Sequence, residues 1–168
     1  MEGGLVTQVQ TQEVQTDKLY PLKEGASDAL VVHCSDPRFQ DAFHDFIRDE
    51  LGIERPAAIV LPGSTASFGV QNLLPKRWHA LRNQIELMAE HNDFPRVILI
   101  NHDDCKGYAG VAKFIGGLHN ISSSQRSHLH SLAKYILKEY LPDARVELYQ
   151  ARIVERNNIK GVKFEKVV

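Results

Sequence analysis

The sequence predicts an α/β fold, a three-layer sandwich with a mainly parallel central sheet and helices on both faces. Three observations lead there. Short β-branched apolar runs alternate along the chain with segments of helical apolar period. The early runs are continuously apolar, as in strands covered on both sides. The 168 residues, 43% of them apolar, suit one ordinary domain built on one core.

Residues 1–27 read as an N-terminal arm, rich in Gln, Thr and Glu, with Gly3, Gly4, Pro21 and Gly25 and no sustained amphipathic period. Leu5, Val9, Val14 and Leu19 give it apolar points that can pack on this subunit or a partner. A single α/β domain is expected over 28–168. Its first strand is the run 29–32, which leads into His33-Cys34-Ser35-Asp36-Pro37 as a turn. Phe39, Ala42, Phe43, Phe46, Ile47 and Leu51 then recur at three- and four-residue steps, one helical face stopped by Gly52. Residues 57–61 form a second buried strand, broken by Pro62-Gly63, and 64–69 a polar loop. Leu74, Trp78, Leu81, Ile85 and Met88 mark the next helix, with Trp78 in the core. The third strand, 96–100, opens into a polar loop over 101–107. Ser122, Ser123 and Ser124 can cap a third helix, whose apolar face carries Leu129, Leu132, Ala133, Ile136, Leu137 and Tyr140 before Pro142. Residues 144–153 read as a strand, and 162–168 as an edge strand or hairpin after Asn157-Asn158.

Charge is balanced, 20 basic against 21 acidic side chains, which argues against a nucleic-acid partner. No positively charged start followed by an apolar stretch is present, and no apolar run approaches the about 20 residues that span a bilayer. A soluble, cytoplasmic protein without a membrane partner is expected. Two cysteines are too few for a disulfide scaffold, so reduced thiols are the default, either inert and buried or free to bind metal.

In parallel sheets, ligands sit beyond the carboxyl ends of the strands, and both cysteines fall there. Zn²⁺ favours thiolate and imidazole, and catalytic sites keep three protein ligands. Cys34, His102 and Cys105 supply that number, the last two only three apart on a turn. Asp36 and Arg38 follow Cys34 at two-residue steps. Arg38 can hold a carboxylate bidentately beside a metal, although the same pair can equally be a surface ion pair at a helix start.

Cys34-Ser35-Asp36-Pro37-Arg38 and His102-Asp103-Asp104-Cys105 resemble the Cys-x-Asp-x-Arg and His-x-x-Cys motifs of β-class carbonic anhydrases, over about residues 28–110. The resemblance implies a Zn²⁺ cofactor on Cys34, His102 and Cys105, with Asp36 and Arg38 as a catalytic dyad controlling the fourth coordination position. It further implies reversible hydration of CO₂ to bicarbonate by a zinc-bound hydroxide, in a homodimer or tetramer. The chain departs from the family pattern at Pro37, between Asp and Arg, and at Asn101 and Lys106, where glycines are usual. Pro62-Gly63-Ser64 also stands where an Asn-Ala-Gly element is usual. Two other readings fit the same residues: a hydrolase of a CO₂-like molecule such as carbonyl sulfide or carbon disulfide, and a non-catalytic zinc module closed by Asp36. His33, Asp103 and Asp104 are possible proton carriers or, more plainly, a near-core histidine and two turn formers. Lys106 and Tyr108 can line a site mouth or sit in a solvated loop. His44, His79, His91, His128 and His130 read as surface residues.

Overall fold

The first strand, β1 (Ala29–Cys34), is buried along its whole length. Alternate side chains therefore meet two different layers. Leu30 and Val32 pack in one core with residues of two long helices, while Ala29 and Val31 lie in a second core with Phe39, Phe43 and Ile47. This is the two-sided burial that the continuous apolar run predicts. The computed structural model describes residues 18–114 and 121–168, without the side chains of 112–114.

The other elements follow in order as α1 (Gln40–Asp45), β2 (Pro56–Leu61), α2 (Ala66–Gly69), α3 (Pro75–His91), β3 (Arg96–His102), α4 (Lys106–Phe114), α5 (Ile121–Glu139), β4 (Arg145–Arg156) and β5 (Ile159–Lys166). The strands form one sheet of order β2-β1-β3-β4-β5, parallel except for the β4–β5 hairpin. Asn157 and Asn158 turn that hairpin with φ of 51° and 63°, left-handed values that asparagine tolerates. Residues of α3 and α5 cover one face, and the helical segment through α1 covers the other. The predicted α/β sandwich is the observed fold.

Several local expectations change. The helix read over 39–51 is composite: a 3₁₀ turn (Pro37–Phe39), then α1, then a wider π turn (Phe46–Glu50), with Gly52 at φ 64° ending it. Residues 57–61 do form a strand, but β2 lies at the sheet edge, and Val60 is 41% exposed. An apolar run read alone does not distinguish an edge from a centre. Residues 64–69 hold a tight turn and the short α2, with Ser64 and Thr65 fully buried where polarity suggested solvent. Residues 101–102 belong to β3, and α4 begins at Lys106, so only 103–105 remain as loop. Ser122 to Ser124 lie inside the first turn of α5. Of the predicted arm, residues 1–17 lie outside the described residues; 18–27 carry neither helix nor strand, and Leu19 and Leu22 are exposed. Among the described residues no helix is long and apolar enough to cross a membrane.

Candidate metal centre

β1 and β3 are adjacent and parallel, so the loops leaving their carboxyl ends rise side by side. Cys34 closes β1, His102 closes β3, and Cys105 stands one residue before α4. Their sulfur and nitrogen donors lie within 4.8 Å of one another, and the two sulfurs are 3.8 Å apart. All three residues are buried.

The His102 ring is oriented from one side. Its Nδ1 lies 2.7 Å from the Asp103 carbonyl oxygen, so Nδ1 carries the proton and Nε2 keeps a lone pair. That Nε2 is buried and has no hydrogen-bond partner among the described residues. Phe39 packs on the same ring, centroids 4.3 Å apart, and limits its swing. A buried nitrogen lone pair without a donor is costly unless something else meets it. With two thiols within reach, a soft divalent cation fits.

The sulfurs are prepared unequally. A hydrogen bond from Cys105 lowers the pKa of Cys34, against the opposing effect of burial, with smaller help from the Gly63 N–H. Cys105 moves upward, raised first by its bond to Cys34 and then by burial. The Gly63 N–H donates to the Cys34 sulfur at 3.2 Å. It reaches there because Gly63 adopts φ 86° and its backbone lies directly against Gly107 at the start of α4.

Asp36 begins the 3₁₀ turn after β1 and accepts from the Arg38 N–H at 3.0 Å, a cap. Its carboxylate also takes Nε and Nη2 of Arg38, at 3.0 and 2.7 Å. These bonds hold the Asp36 carboxyl down at about 2. Arg38 reaches onward to Asp104 at 2.9 Å, tying the β1 loop to the β3 loop. Gln40 steadies the same turn, its Nε2 donating to the carbonyls of Cys34 and Asp36. Asp36 is not among the residues whose donors cluster within 4.8 Å; its oxygens face Arg38. A cavity of about 300 Å³ joins these parts, lined by Cys34, Asp36, Arg38, Pro62, Lys106 and Gly107.

Comparisons with known proteins give likeness only at the level of structure. No protein-family model matches the sequence, and none of the curated proteins matches it. Among solved structures, the chain is similar to a carbonic anhydrase from Glaciozyma antarctica at 18% identity and TM-score 0.48, covering 85% of this chain and 83% of that one. It is also similar to a β-carbonic anhydrase from Trichomonas vaginalis, isoform I, at 12% identity and TM-score 0.43, covering 90% and 88%.

Of the remaining expectations, Lys106 does line the cavity, but Tyr108 is fully buried, not solvated. Its hydroxyl meets Thr65 at 2.6 Å and His128 at 3.2 Å, and burial pushes its pKa up. His128, read as a surface residue, is half-buried over Gly69, where an added Cβ would strike its ring. His33 is a satisfied near-core side chain: it bonds the Cys34 carbonyl at 3.0 Å and packs tilted against Phe43. Asp103 and Asp104 shape the loop, Asp104 at φ 53° and Asp103 as acceptor for Arg152 and the Ile153 N–H.

What the sequence reading missed lies beneath the three candidate ligands. Asn101, where a glycine was expected, donates to Thr65, Tyr108 and the Gln125 carbonyl. Gln125 and Gln150 continue the network. A signal existed: Gln125 falls four residues before Leu129, a polar residue on the apolar stripe of α5.

Proposed function

We propose that this protein is a zinc-dependent carbonic anhydrase that hydrates CO₂ reversibly to bicarbonate and works as a homodimer. The observation carrying the reading is the buried Nε2 of His102, without a partner among the described residues, beside two cysteine sulfurs, with an arginine-held carboxylate lining the same cavity as Cys34. Three protein donors of this type match the ligand number and chemistry of a catalytic zinc site. When bound, Zn²⁺ supplies Lewis acidity that makes a water nucleophile available near neutral pH.

The chain's own groups do the rest. Cys34 and Cys105 as thiolates offset the charge of the ion and soften it, which raises the value of an oriented hydrogen-bond acceptor nearby. Asp36 is that acceptor. Arg38 keeps it ionised and fixes both of its oxygens, so it can take a hydrogen bond from the attacking water and orient its lone pair. CO₂ is small and uncharged, and a shallow cavity walled by Pro62 and Gly107 asks little more of it than size. The proton released leaves for solvent at the cavity mouth.

The test is stopped-flow CO₂ hydration on protein of measured zinc content. One zinc per chain and zinc-dependent turnover are expected. Cys34→Ser is expected to lose the metal, whereas Asp36→Ala keeps it and loses about 100-fold or more in rate. Stoichiometric, tightly held zinc in Cys34→Ser would refute the ligand set. A zinc-loaded protein inactive on CO₂ but active on carbonyl sulfide would move the substrate and keep the site.

A further inference from the structure

We infer that Gln125 of α5 is the positioning residue for His102, a clamp that sets where the imidazole stands before any metal arrives. The inference rests on the metal centre proposed above.

Gln125 is 1% exposed, yet it sits on a helix face otherwise made of Leu129, Leu132, Ala133 and Ile136. A buried primary amide is tolerated only when its bonds are made. Here they are, and they converge on the end of β3. The Nε2 of Gln125 donates to the His102 carbonyl at 2.8 Å. Its Oε1 accepts from Gln150 at 3.1 Å, and its main-chain carbonyl accepts from the Asn101 amide at 3.1 Å. One residue of α5 therefore holds the last two residues of β3.

The consequence for the ring follows from the peptide geometry. The peptide joining His102 to Asp103 is held at both ends: its C=O by Gln125, and its N–H by the Ala151 carbonyl at 2.9 Å. The Asp103 side chain is tethered in turn by Arg152 at 2.9 Å and by Gln150 at 3.3 Å. The Asp103 carbonyl, fixed by these restraints, accepts from His102 Nδ1 and so sets the direction of Nε2. A neutral amide suits position 125, since the group donates to a carbonyl while accepting from Gln150. A carboxylate cannot donate, and a thioether does neither job.

The experiment compares wild type with Gln125→Met and Ile136→Val. Ile136 is a buried residue of the same helix in the core away from the ligands, and its truncation serves as the stability control. Zinc affinity is read by competition with a chromophoric chelator, and ligand geometry by the absorption bands of the Co²⁺-substituted protein. Gln125→Met is expected to bind zinc about 10- to 100-fold more weakly with displaced cobalt bands, while Ile136→Val keeps both at wild-type values. Wild-type affinity and an unchanged cobalt spectrum in Gln125→Met would overturn the inference. Should that variant fail to fold, Gln150→Met, which leaves Gln125 in place but removes the bond that fixes its amide together with the weaker tether on Asp103, is expected to shift both readouts in the same direction by less. Unchanged values there would overturn the inference equally. A wild-type chain that takes up no zinc at all would instead remove the metal-centre reading, a different and separately visible failure.

Discussion

Gly107 and Gly63 meet backbone to backbone, and that contact places an N–H on the Cys34 sulfur. A Cβ on Gly107 would fall 2.4 Å from Gly63 Cα and 2.9 Å from the Pro62 carbonyl carbon, atoms that no rotamer change can move aside. Gly107→Ala is therefore expected to cost about 1–3 kcal/mol of stability by urea or thermal unfolding, and to weaken zinc binding as Gly63 retreats. An unchanged midpoint would contradict the contact. At this scale, what the sequence reveals is what is local. Cys34, Asp36 and Arg38 lie within one turn, and His102 and Cys105 within another, so their spacing alone suggests convergence. Gly107 is legible only as a turn glycine, because its reason to be glycine lies across space at Gly63. Gln125 and Tyr108 are missed for the same cause: a buried polar side chain looks solvated until its partners are known.

At the scale of elements, the β3–β4 pairing carries an ion cluster that its register requires. Arg96 lies directly opposite Arg145, a like-charge pair that destabilises a sheet unless something stands between. Glu147 does: its carboxylate takes Arg96 at 2.8 Å, Arg145 at 3.6 Å and Lys166 at 3.6 Å, and accepts from the Tyr149 hydroxyl at 2.9 Å. Burial raises the Glu147 pKa, but Tyr149 and Arg96 outweigh it, and the net shift is downward. A lowered carboxyl stabilises the fold above its unfolded pKa, here 4.5, and that stability is lost as pH falls through the folded value. Glu147→Gln is expected to be about 2 kcal/mol less stable at neutral pH and to lose the acid-dependent part of its unfolding curve below about pH 4.5. Parallel acid curves for the two proteins would count against it. Elements were the most legible layer, since β1, α3, β3, α5 and the hairpin announce themselves by period and punctuation. The composite helix after β1 and the burial of 64–69 depend on packing that periodicity does not encode.

For the whole molecule, the resemblance to β-class carbonic anhydrases implies a homodimer or tetramer, so light scattering at micromolar concentration is expected to give two or four times the chain mass of 19.0 kDa. A monomer mass would contradict it. The order β2-β1-β3 has a consequence in time as well as in space. Cys34 and Cys105 are 71 residues apart, with all of β2 and α3 between them. A growing chain thus exposes Cys34 long before it possesses His102 and Cys105, and the three meet only once β3 has docked against β1. Closing so long a loop is paid for by strand pairing and the apolar core, not by sulfur and nitrogen. In zinc fingers the ion builds the fold; a sheet closed by its own pairing and core needs no ion to bring Cys34, His102 and Cys105 together, so any metal would arrive at a finished site.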